Sequence, residues 1–159
     1  MTFREKIDKL LEKFVVALLA ILVIDVLWQV VSRYILTSPS SFTDELAGFL
    51  LIWVGLFGSA YVAGKNEHLA IDLLLQRSGP ERRKFLEIFI GCCIVLFSLV
   101  VLVVGGSWLV YTRFALEVKS AALEIPLGYV YIVLPISGLL IIFFTIDNTL
   151  QFLRAHKDN

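Results

Sequence analysis

SFTDELAGFLLIWVGLFGSAYVAGKNEHLAID, residues 41–72, decides the fold. An acidic pair, Asp44 and Glu45, opens a segment that then carries no charge as far as Ala63. Phe42 to Ala63 is 22 residues. At about 1.5 Å per residue a helix over them spans roughly 33 Å, enough to cross a hydrocarbon core of ~30 Å. The run stops abruptly at Gly64-Lys65-Asn66-Glu67-His68. A shorter apolar piece, Leu69 to Leu75, follows; Asp72 interrupts it and it is too short to cross. A span followed by a surface-lying piece points away from soluble enzymes.

Working outward, three further runs have the same character: Phe14–Tyr34, Phe85–Tyr111 and Pro126–Phe152. The apolar fraction is 58% and the mean hydropathy +0.86, against about 45–50% apolar residues in soluble chains. The expected fold is therefore all-α and integral to a membrane. It has one domain with spans at 14–34, 42–63, 85–111 and 126–152. The last two are longer than the bilayer requires and predict tilt or extension beyond it. With 14 basic and 14 acidic residues, nothing supports a nucleic-acid partner. The first run is long, contains Asp25 and Gln29 and lacks a small-x-small cleavage site before Arg33, so it reads as a retained span rather than a signal peptide. The two cysteines, Cys92 and Cys93, are adjacent inside a span and read as small apolar fillers.

Basic residues set the expected orientation. Arg4, Lys6, Lys9 and Lys13 precede the first span, Lys65, Arg77, Arg82, Arg83 and Lys84 fall in the second loop, and Arg154 and Lys157 in the tail. Only Arg33, Arg113 and Lys119 lie on the other side. Eleven against three predicts both termini and the second loop in the cytoplasm. Residues 3–13 read as an amphipathic helix on the inner leaflet, the alternative being a polar start to the first span. Residues 69–77 form a second amphipathic piece, which Ser78-Gly79-Pro80 ends. Pro126 suits a first-turn position, and Pro135 predicts a kink in the fourth span.

Candidate functional residues are few. Asp25 lies near the middle of a span with Gln29 one turn away. An ionised Asp there costs about 2.5–3.5 kcal/mol on the insertion scale, so it is expected to face protein, as polar glue or a subunit contact rather than a coupling carboxylate. Arg33 ends the first span opposite Asp44 and Glu45, an arrangement that predicts an ion pair tying a hairpin. Gly55, Ser59 and Ala63 recur at spacing four, a small-residue stripe that admits a close helix. Trp28 and Trp53 lie inside spans, where a buried indole needs an N–H partner; Trp108 and Tyr111 suit an interfacial belt. His68 and His156 fall outside the spans, and no Cys-x-x-Cys, phosphate loop or nucleophile elbow occurs. An enzyme, a metal site or a bound cofactor is not expected.

Together these residues resemble one family, the small membrane subunit of tripartite ATP-independent periplasmic (TRAP) transporters. The resemblance rests on Arg33-Tyr34, Phe42 with Asp44 and Glu45, Trp53 and Gly58, His68 and Asp72. It continues through Ala122, Ile125, Pro126 and Tyr129 to Pro135. It implies an inner-membrane scaffold among lipids, paired with a large multi-span carrier that holds the substrate and sodium sites. It also implies a periplasmic solute-binding protein that delivers an organic anion of the dicarboxylate or sialic acid class. In that setting Asp25, Gln29, Arg33, Asp44, Glu45, Trp53, Gly55, Gly58, Ser59, His68 and Asp72 are the candidate interface or structural residues. A small multidrug exporter and a haem-free membrane anchor of a respiratory complex are the rival readings.

Overall fold

A computed structural model describes residues 3–36, 41–65 and 80–155. Four helical rods long and apolar enough to cross a membrane run through them, with no β-strand among the described residues.

The first rod, α1 (Phe3–Tyr34), is a single helix of 32 residues, about 48 Å long. It contains no Gly or Pro, and its first turns are rich in Glu, Lys and Leu, all strong helix formers. The segment 3–13 is thus not a separate surface helix. It continues the first span past the ~30 Å apolar layer. The second rod is α2 (Ser41–Lys65), with Asp44 in its first turn and Lys65 in its last, each suited to the helix dipole there. The amphipathic piece expected at 69–77 lies outside the described residues.

The third rod runs without interruption through α3 (Pro80–Phe97), a π-helical stretch (Ser98–Gly105) and α4 (Gly106–Ala115). At the end of the π stretch the Gly106 N–H reaches back to the Val101 carbonyl, one residue further than in an α-helix. The fourth rod is broken: α5 (Leu127–Tyr131) and α6 (Val133–Ala155) meet at Ile132. The break falls three residues before Pro135 because that proline has no N–H to offer the Tyr131 carbonyl, and its ring crowds the same turn. Pro126 caps α5 in an extended conformation instead of occupying its first turn.

The irregular stretches of the third and fourth rods face each other. A Cβ at Gly106 would lie 2.7 Å from Leu134 Cβ, and one at Gly138 2.7 Å from Leu102 Cβ. These glycines, with Gly91 against Thr149, are where two helices approach most closely.

The fourth rod is also the hub. A third of its most apolar window is buried, against 6% of the third rod's. Phe144, Val133 and Ser137 have no exposed surface. By contrast, among its described side chains α1 buries only Leu11, Leu18, Asp25 and Ser32, a strict seven-residue spacing that lays one narrow seam along α2. Its other faces, like Leu51 of α2 and Trp108 of α4, expose large apolar side chains, as a membrane requires. Cys92 and Cys93 are free and exposed and do not fill the interior.

Candidate functional site

Polar side chains gather at the two ends of the bundle. At the first end the start of α1 meets the ends of α2 and α6. Arg4 pairs with Asp147 at 2.7 Å, donates to the Gly64 carbonyl at 2.9 Å, and also bonds Asn148. Asn148 in turn donates to the Ala63 carbonyl at 2.8 Å. Lys65 pairs with Asp8 at 2.9 Å and sits 5.3 Å from the Tyr61 ring centre. The C-terminal carbonyls of α2 have no partner inside their own helix, and Arg4 and Asn148 supply two. None of Arg4, Asp8, Asp147 or Asn148 was singled out from the sequence. The available signal was that charged and amide side chains stand where three spans end.

At the other end one side chain does most of the fastening. Glu45, in the second turn of α2, accepts hydrogen bonds from the backbone N–H groups of Ala121, Ala122 and Leu123 at 3.0, 2.8 and 2.9 Å. These belong to the connection between α4 and α5. That connection is closed by an antiparallel bridge between Lys119 and Pro126, with Ser120 N–H to the Ile125 carbonyl at 2.9 Å and Leu127 N–H to Val118 at 2.9 Å. Two non-glycine residues, Glu117 (φ 49°) and Glu124 (φ 54°), adopt the left-handed conformation to make its turns. The expected hairpin pair is present for Asp44 alone, 3.4 Å from Arg33, with both side chains about half exposed. Glu45 is not part of that pair.

Between the ends, Asp25 occupies the third position of the α1 seam and is 8% exposed, with its Oδ2 unpartnered. Gln29, one turn on, forms no hydrogen bond with it; its backbone carbonyl accepts from Ser32. The Trp53 indole donates to the Val130 carbonyl at 2.9 Å. That bond fixes α2 against α5 just before the proline break. Trp28 is 54% exposed, so it is inside a span without being buried. The small-residue stripe is open along most of its length. A Cβ at Gly55 or Gly58 would meet nothing within 4 Å, and Ser59 is exposed and bonded to its own Gly55 carbonyl. Ala63 alone is buried. Among the described residues no side chain closes on Gly55 or Gly58; close contacts fall on other glycines, Gly91, Gly106 and Gly138 among them. His68 and Asp72 lie outside the described residues. Among the described residues no group of three or more His, Cys, Asp or Glu side chains converges where a metal ion would be held.

The family model described as the DctQ component of tripartite ATP-independent periplasmic transporters matches residues 9–155. The chain belongs to this family. It is 30% identical over 137 residues to a Haemophilus influenzae protein named as a TRAP transporter small permease, covering 85% of this chain and 82% of that one. It is 29% identical over 113 residues to the C4-dicarboxylate TRAP transporter small permease protein of Rhodobacter capsulatus, covering 70% of this chain and 49% of its relative. A third relative is the sialic acid TRAP transporter permease protein of a second Haemophilus influenzae strain, 36% identical over 73 residues. That match takes in 43% of this chain but only 12% of the relative. As a TRAP small permease subunit the chain is a multi-pass inner-membrane transport protein and not an enzyme.

Proposed function

We propose that this TRAP small permease subunit is a scaffold that does not itself carry solute. It pairs with a larger carrier subunit that holds sodium and substrate. It takes part in sodium-driven uptake of an organic anion, of the dicarboxylate or sialic acid class, brought by a periplasmic binding protein. The observation that carries this reading is the sialic acid relative, in which the matching segment is about an eighth of a much longer permease protein. The exposed apolar faces of α1 and the third rod and the open Gly55–Ser59 stripe give a larger partner surface to pack on. The Arg4–Asp147 contact brings the start of α1 and the end of α6 to one end of the bundle. In the sequence, eleven of fourteen basic residues precede the first span, follow the second or follow the fourth, which makes both termini cytoplasmic and turns the Glu45 end to the periplasm.

Reconstitution tests the division of labour. Proteoliposomes holding this chain alone, under an inward sodium gradient, should accumulate neither succinate nor sialic acid. Adding the carrier subunit and the binding protein should start uptake of one of them. Asp25→Asn in the full complex should leave the rate within about threefold, since hydrogen bonds between membrane helices average only ~0.6 kcal/mol. Accumulation by the isolated chain would favour an exporter. An assembled Asp25→Asn complex without uptake would end the scaffold reading.

A further inference from the structure

The connection between α4 and α5 is built more firmly than a link between two spans needs to be. A carboxylate from α2 fastens three consecutive backbone N–H groups, a bridge closes the base, and two residues sit in the left-handed region. Gly128 is closely packed as well: a Cβ there would lie 2.5 Å from the Phe114 ring, which would have to shift. That ring stands edge-on to Tyr129 at 5.1 Å. Local strain and tight packing of this kind hold something in place.

What they hold is a cavity of about 330 Å³ lined by Arg113, Phe114, Glu117, Lys119 and Pro126, near the lower limit of ligand-sized pockets, roughly 300–1,000 Å³. Three basic residues lie at this end of the chain. Arg33 is committed to Asp44, whereas Arg113 and Lys119 make no ion pair among the described residues. Both uncommitted cations line the same cavity. The Arg113 guanidinium lies 5.9 Å from the centre of the Tyr131 ring, which steadies its plane. Its Nε–H is buried without any hydrogen-bond partner. That nitrogen has no accessible surface, so a ligand in the cavity meets the guanidinium through its terminal N–H groups.

We infer that this cavity is a carboxylate-binding site, in which Arg113 grips the group through its fork and Lys119 supplies the second charge. The charge balance selects the ligand. Two cations against the Glu117 carboxylate leave one net positive charge in the lining, which a single carboxylate neutralises and a phosphate dianion exceeds. A planar carboxylate also matches the two parallel donors of a guanidinium. The carboxylate has two possible sources on this side of the membrane, a free organic acid or an Asp or Glu side chain of a soluble protein. Only the side from which it arrives rests on the orientation proposed above; binding itself does not.

The test uses the full chain in phosphatidylcholine nanodiscs, with the arginine Nε–H resonances followed by nitrogen-15 NMR and that of Arg113 assigned through its bonds. Lactate, a monocarboxylate, should shift the Arg113 signal saturably. Lys119→Gln should weaken that binding by about tenfold, the worth of one charge-assisted contact. Glu117→Gln should strengthen it, a change of sign that a merely structural role would not give. If lactate has no effect but a short Asp- and Glu-rich peptide saturates the signal, the carboxylate belongs to a protein. No response to either probe would overturn the inference. So would saturation on replacing part of the phosphatidylcholine with phosphatidylglycerol, which would make the site a headgroup anchor. No uptake is measured, so failure here leaves the scaffold reading standing.

Discussion

The two ends of the bundle are fastened by opposite means. At the Arg4 end, side chains of three helices bind one another and the last carbonyls of α2, through the Arg4–Asp147 and Lys65–Asp8 pairs and the Asn148 amide. At the Glu45 end a single carboxylate binds the backbone of a connection three-quarters of a hundred residues away, at Ala121, Ala122 and Leu123. The first arrangement ties the ends of three rods to one another. The second gives a connecting segment a fixed shape, and a segment of fixed shape can present a binding group. Redundancy differs too. Several contacts share the Arg4 end, whereas the Glu45 end depends on one residue.

That difference sets the order of three substitutions. Glu45→Ala should have the largest effect, removing three charge-assisted bonds at once. Hydrogen exchange at the Ala121–Leu123 amides should quicken by about tenfold or more, and protease sensitivity should appear at 117–124, while the four rods stay helical. Unchanged protection would mean that the connection holds its shape without Glu45. Glu45→Gln, which keeps one acceptor oxygen, should fall between.

Arg4→Ala comes next. Its partners are partly buried, with side-chain exposures of 25% and 33% for Arg4 and Asp147. The loss should cost about 1–2 kcal/mol in a detergent unfolding titration, less than the sum of its bonds because Lys65–Asp8 and Asn148–Ala63 remain. A cost as small as that of an exposed pair would show that this end is no clamp. Arg33→Ala should be the mildest, within about 0.5 kcal/mol, since its pair with Asp44 is half exposed at 3.4 Å. A larger loss would make the hairpin a third fastening point.

Much of the candidate site was hidden from the sequence for a reason visible in its spacings. Arg33 and Asp44 are eleven residues apart, joined by a short link between two spans, and their pairing follows from chain connectivity. Glu45 stands beside Asp44 in the sequence and was read with it, yet a helix turns neighbouring residues through about 100° and sends Glu45 to a different partner. Arg4 and Asn148 are 144 residues apart, and no local pattern relates them. The Gly55–Ser59 stripe was legible as small residues, but whether a helix fills it depends on where the other rods pack. Among the described residues they pack closely on Gly106 and Gly138 instead.

The sequence by itself determined the four spans, the uneven distribution of charge and the proline break, because transfer into a membrane and the lack of a proline N–H act on each segment separately. Only the tertiary structure decided that the first surface segment continues the first rod. It alone set the seam of Leu11, Leu18, Asp25 and Ser32 against α2 and brought Glu45 to the backbone N–H groups of Ala121, Ala122 and Leu123. Those outcomes depend on the register at which helices meet, which is set by close packing of side chains distant in sequence.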